Sequence, residues 1–232
     1  MAECRYIVDS MSPEEILDLY RQEIPFVNHK LEEFSKIFSR RLYDTHRELT
    51  ELDFIQIKRK SNLNLSFIYL DRGTSYIKNK RLIVLLYFWF YYRGGISAIR
   101  PILDKNLGII HFFYTSHFLQ RYLERGPLDK NLSKIEALRL FLMRNPKRIT
   151  QKQASERYPN NCYMLCEDGI CFSEVKPNSF IIMKTFLSWE QLSATQNDIS
   201  VPMLKDAASK GMKLSIYDSL ITYEDINNIE FQ

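Results

Sequence analysis

The chain has 232 residues, 45% of them hydrophobic and 26% charged, with a formal charge of +4. That balance provides for a sizeable buried core and excludes a disordered or low-complexity chain. Glu3, Asp9, Glu14 and Glu15 near the start are unlike the basic opening of a secretory signal, and the longest apolar run, Leu82 to Tyr92, has 11 residues, about half the ~20 a membrane-spanning helix needs. A cytoplasmic protein with no membrane partner is expected.

In chain order, the segment from Ser12 to Thr50 predicts two helices. Ser12 to Glu15 is a capping box with Pro13 at the first helical position, and apolar residues recur at Ile16, Leu17, Tyr20 and Ile24. Pro25 is expected to end this helix, and a second runs from about Asn28 to Arg47. From Phe54 the period changes to two, which predicts strands at Phe54 to Lys58, Leu63 to Leu70, Leu82 to Tyr92, Ile96 to Ile102 and Ile109 to Tyr114. A helix bounded by Thr115 or Ser116 and by Gly126-Pro127 follows, then another opened by the capping box Ser133 to Glu136 and closed by Asn145-Pro146. Residues 145 to 161 read as a loop. Asp168-Gly169 marks a hairpin between Cys162 to Glu167 and Ile170 to Val175. A strand from Phe180 to Leu187 leads to a short helix capped by Ser188, and a further helix is expected near Pro202 to Lys210.

The fold expected is α+β: a mainly antiparallel sheet with N-terminal helices packed on it and an inserted helical pair. Residues 1–53 are read as a helical segment on the main domain, 54–200 as that domain, and 201–232 as a polar tail with a short helix.

Charge is unevenly placed. Residues 1–53 carry 7 Lys+Arg against 12 Asp+Glu, residues 54–160 carry 20 against 6, and residues 161–232 carry 5 against 10. A basic middle of net +14 between acidic ends of −5 each implies RNA or another polyanion as partner, or else neutralisation within the molecule. At its centre, Thr115 to Gly126 places Phe118, Leu119, Tyr122 and Leu123 on the core face of a helix. His117, Gln120, Arg121, Glu124 and Arg125 lie on the other. A titratable imidazole in the first turn, followed by two permanent cations, suits a phosphate site, with His117 as acid or base and the arginines as electrostatic partners. The equally available reading is a solvated helix face. Lys147, Arg148, Lys152 and Arg157 are a second cationic set for binding nucleic acid.

The order strand, His-x-x-x-Arg-x-x-x-Arg-Gly helix, second helix, hairpin and a strand bearing Lys184-Thr185 resembles the barnase, colicin nuclease and RelE-like ribonuclease toxins. The likeness covers residues 109–190, with no counterpart for the first hundred residues. It implies a metal-independent RNA cleaver that uses His117, Arg121, Arg125, Lys184 and Thr185, and a protein inhibitor as partner.

Other groups point to structure. His111 alternates with Phe113 in a strand and is expected to be buried, and His29 and His46 belong to the N-terminal helices. Cys162, Cys166 and Cys171 lack a nearby fourth ligand for zinc, and a two-residue turn at Asp168-Gly169 sets Cys166 opposite Cys171 as reduced core thiols. No phosphate loop, nucleophile elbow or dinucleotide fingerprint occurs, so no cofactor is expected. Three functions stay open: a metal-independent endoribonuclease or ribonuclease-like toxin, a non-catalytic nucleic-acid-binding module, and a structural or interaction domain with internally neutralised charge.

Overall fold

The computed structural model describes residues 6–38, 50–71, 83–104, 108–145, 151–155 and 157–192. The fold is α+β with a mainly antiparallel arrangement of strands. The described residues divide into two compact units, one up to Gly94 and one from Gly95. That division falls inside the stretch 54–200 expected as one domain.

In the first unit, a single helix α1 (Pro13–Phe38) replaces the two expected, with Pro25 inside it. A proline in a helix interior costs about 3 kcal/mol. Ile16, Leu17, Tyr20, Val27 and Leu31 are all buried on the two sides of it. At roughly 1.5–3 kcal/mol per large apolar side chain, this continuous stripe outweighs the break. The part of the expected second helix beyond Phe38, with His46, lies outside the described residues, as does the helix expected at Pro202 to Lys210.

Strands β1 (Thr50–Ile57), β2 (Asn64–Asp71) and β3 (Ile83–Tyr92) follow in sequence and pair antiparallel with their neighbours. The register sets Ile57 beside Leu65 and Leu65 beside Phe88. Partners in a ladder share a face, so these side chains look one way, toward α1. Tyr20 meets Phe88 there with ring centroids 4.8 Å apart, and Phe34 meets Phe67 at 5.9 Å. Arg59 continues this face, 3.8 Å above the Phe26 ring and 2.7 Å from Glu23. The other face carries Gln56, Asn64, Ser66 and Trp89, and the Trp89 indole N–H donates to Ser66 Oγ at 3.0 Å.

The second unit contains β4 (Gly95–Asp104), β5 (Gly108–Tyr114), α2 (Ser116–Arg125), α3 (Lys134–Arg144), β6 (Gln151–Ser155), β7 (Tyr158–Cys166), β8 (Gly169–Lys176) and β9 (Phe180–Ser188). Among the described residues of this unit a 3-10 turn, Trp189–Gln191, follows β9, and Ser188 makes no side-chain cap there. The strand order is β4-β5-β9-β8-β7-β6. Only the β5–β9 pair is parallel, because the chain between them crosses over through both helices and three strands. Residues 145 to 161, expected as a loop, instead supply β6 and the start of β7. The polar run Tyr158 to Asn161 lacks the alternation that identifies a half-buried strand, and its first three residues are exposed.

Rings from four elements fill the core beneath the two helices. Phe141 of α3 lies 5.8 Å from Tyr114, 5.2 Å from Phe118 and 4.8 Å from Tyr122, and Tyr122 lies 5.0 Å from Phe186. The core face expected for α2, namely Phe118, Leu119, Tyr122 and Leu123, is buried. The capping box Ser133/Glu136 is formed, and its hydrogen bonds from Ser133 hold the exposed Glu136 carboxyl below the usual range.

The hairpin register corrects one expectation. Cys166 pairs with Gly169 and Met164 with Cys171, so Glu167 and Asp168 are the turn and the two cysteines are diagonal neighbours. Gly169 serves close strand packing against β9, where it pairs with Ser188. A Cβ there would fall 2.1 Å from the Leu187 carbonyl oxygen, a backbone atom that cannot swing aside. Gly169→Ala is therefore expected to reach the upper end of the roughly 1–3 kcal/mol typical of overpacking. An unchanged urea midpoint would contradict this placement.

Candidate functional site

Helix α2 is fixed at both ends. The Thr115 hydroxyl accepts from Phe118 N at 3.1 Å and donates to Met183 O at 2.9 Å, so the cap also ties the helix to β9. At the other end Gly126 N donates to Tyr122 O at 2.7 Å, and the Lys130 ammonium donates to Leu123 O at 3.1 Å and to Glu124 O. A cation on the last carbonyls complements the helix dipole.

Of the expected catalytic set, His117, Arg121 and Arg125 lie on α2 and Lys184 and Thr185 on β9, and three of the five are engaged by other groups. His117 is exposed on the first turn. Arg121 is held 2.7 Å from Glu124 on its own helix, and hydrogen bonds from Gln120 and Arg121 keep that carboxyl below the usual range. Arg125 donates to Phe186 O at 2.9 Å, a second tie to β9. Thr115 and Arg125 thus bracket Lys184 and Thr185 on that strand. Lys184 is exposed at the β-bulge between Phe172 and Ser173 and reaches Glu174 at 2.6 Å, while Thr185 is half-buried opposite Phe172. Hydrogen bonds from Lys176 and Lys184 hold the Glu174 carboxyl low.

Of the second cationic set, Lys147 and Arg148 lie outside the described residues. Lys152 belongs to β6, the last strand of this unit, and its side chain lies outside them too. Arg157 is exposed, its guanidinium carbon 5.4 Å from the centroid of the exposed Tyr158 ring. His111 is buried in β5, as expected. Among the described residues no group of three or more His, Cys, Asp or Glu is arranged to hold a metal ion. None of their helices is long and apolar enough to cross a membrane.

The strongest polar constellation was not expected from the sequence. Asp168, its side chain 5% exposed, receives the Tyr122 hydroxyl at 2.7 Å, the Arg144 guanidinium at 2.7 and 3.1 Å and the Asn145 amide at 2.8 Å. Its own N–H donates to Asn145 Oδ1 at 2.9 Å. One carboxylate therefore joins α2, α3 and the β7–β8 turn. Burial alone would raise its pKa, but the hydrogen bonds from Arg144, Tyr122 and Asn145 outweigh it and keep the carboxyl below the usual aspartate range. Burial, reinforced by the bond to Asp168, pushes the Tyr122 hydroxyl far above the ordinary tyrosine range. A saturated carboxylate and a locked neutral phenol anchor helices; neither is left free to move a proton. The only signals in the sequence were Asp168 as turn chemistry and Asn145 as a helix end.

In the first unit, Gln56 and Trp89 mark the sheet face away from α1, and Lys58 and Lys60 lie just beyond the end of β1. Lys58 and Lys60 are exposed, and among the described residues neither makes an ion pair. Tyr91, on the same far face by its ring contact with Trp89 at 6.0 Å, is 59% exposed, and its carbonyl accepts from Asn62 in the adjoining turn. No family model, curated protein or solved structure matches the chain.

Proposed function

We propose that the protein binds nucleic acid through exposed cations of its basic middle region, as a non-catalytic module. The observation that carries this reading is the exposure of Lys58 and Lys60 beyond the end of β1 and of Tyr91, whose carbonyl is bonded to Asn62 of the same connection between β1 and β2. Two cations not neutralised by a described carboxylate and an exposed ring supply a backbone contact and a stacking platform, the combination used for single strands. Internal neutralisation accounts for part of the basic stretch only: Arg59 finds Glu23 and Arg144 finds Asp168, whereas Lys58 and Lys60 find no such partner among the described residues.

Fluorescence anisotropy with a labelled single-stranded RNA, over a series of salt concentrations, tests it. Replacing Lys58 and Lys60 together with Gln is expected to reduce the slope of log K against log salt by about 1.4, two single-strand phosphate contacts at ~0.7 each. Tyr91→Ala is expected to weaken binding by about 1–3 kcal/mol. Absence of binding to RNA and DNA at low salt would refute the reading.

A second reading, a metal-independent endoribonuclease, is favoured by the exposure of His117 one turn from Arg121 and by the toxin-like order of residues 109–190. In it His117 moves the proton and Arg121 leaves Glu124 to meet the phosphate. Incubation with labelled RNA, with and without chelator, decides between the two: cleavage abolished in His117→Ala supports catalysis, and cleavage unchanged in that variant removes it.

A further inference from the structure

We propose that Cys166 and Cys171 are a redox-active dithiol that closes reversibly to a disulfide across the β7–β8 hairpin. Their sulfurs lie 3.8 Å apart with one thiol hydrogen-bonded to the other, and Cys166 Sγ also meets Gly169 O at 3.3 Å. Since Cys166 pairs with Gly169 and Cys171 lies two residues further along, both side chains share one face. Both are buried, at 3% and 1% exposure, so they meet each other rather than solvent. Cys162, on the same face, has its sulfur 3.9 Å from Asn160 O and serves as an internal control.

A bond of ~2.05 Å requires the sulfurs to approach by about 1.8 Å. Diagonal ladder positions stand roughly 7–8 Å apart at Cα, just beyond the usual range for a relaxed disulfide, so closure draws on movement of the adjoining turn. A bond formed under such tension belongs to the easily reduced, switchable class rather than to permanent staples. The turn that moves is the one presenting Asp168, which holds Tyr122 of α2 and Arg144 and Asn145 beside α3. Oxidation therefore acts on the anchor of both helices.

The oxidant is a small-molecule disulfide such as oxidised glutathione. One cysteine thiolate attacks it, forming a mixed disulfide and releasing one glutathione thiolate. The second cysteine thiolate then attacks the first cysteine's sulfur and releases the other. The two cysteine protons end on the two glutathiones, so each protein disulfide formed consumes one oxidised glutathione and yields two reduced ones. Because both thiols are buried, the first attack follows local opening of the turn.

Folded protein equilibrated in glutathione buffers of increasing oxidation, then acid-quenched, alkylated and mapped by peptide mass spectrometry, tests the proposal. The expected result is loss of two alkylatable thiols and the mass of two hydrogens, with the link mapped to Cys166–Cys171. It should be unchanged in Cys162→Ser and reversed by dithiothreitol. Both thiols remaining free in fully oxidised glutathione, or a link mapped to another cysteine pair, would overturn it. Wild-type mapping decides the matter even if Cys166→Ser fails to fold.

Discussion

Phe141→Ala is expected to destabilise the protein by about 3–5 kcal/mol, the range for removing a large buried ring. Phe141 is the hub at which α2 and α3 meet, with ring contacts to Tyr114, Phe118 and Tyr122 at 4.8–5.8 Å. The cost lies toward the top of that range because the cavity cannot easily collapse. Tyr122 is tethered through its hydroxyl to Asp168, and Tyr114 sits in a central strand of its unit. Phe141→Leu keeps most of the volume and should cost less than half as much. Urea unfolding followed by near-ultraviolet circular dichroism measures both. A loss below about 1 kcal/mol for the alanine variant would show that the helices are held by something other than this cluster.

Asp168→Asn is the second large effect. The change removes the charge that Arg144 faces and puts an amide N–H₂ where an acceptor received Tyr122, Arg144 and Asn145. Breaking a buried ion pair costs about 3–5 kcal/mol. Arg144 is 44% exposed and recovers water, so the expected loss is nearer 2–3 kcal/mol. Tyr122→Phe keeps the ring and deletes the bond to Asp168 together with the long 3.5 Å bond from Asn145, at about 1 kcal/mol. The double variant should cost less than the sum of the two, because the same bond is lost in both.

The sign with pH is fixed by the carboxyl. Its folded pKa lies below the ordinary value of 3.8, so its stabilisation is present above that value and fades as pH falls through the folded pKa. Wild type should therefore lose more stability than Asp168→Asn on acidification below about pH 4. Parallel acid-unfolding curves for the two proteins would count against a stabilising role for this charge.

Element type was legible where local chemistry and burial pattern agreed. Thr115, Gly126 and the Ser133/Glu136 box announced both ends of α2 and the start of α3, since the atoms that cap a helix are within three or four residues of the backbone they satisfy. Pro25 misled because its local cost is outweighed by burial on α1, a sum over residues far along the helix. Strand β6 and the start of β7 were missed because their mostly polar residues, Gln151 to Ser155 and Tyr158 to Asn161, carry no apolar period.

The site illustrates the same division. Composition and spacing determined by themselves that α2 presents His117, Arg121 and Arg125 away from its buried face, and that residues 54–160 carry the positive charge. Tertiary structure alone decided what those charges do. It gave Arg125 to the Phe186 carbonyl, Lys184 to Glu174 and Asp168 to three donors from two other segments. A side chain's periodicity follows from its own backbone, but its partner is whichever group the sheet register brings within about 3 Å, and that is set by pairings such as His111 with Phe180, which join β5 to β9 from far along the chain.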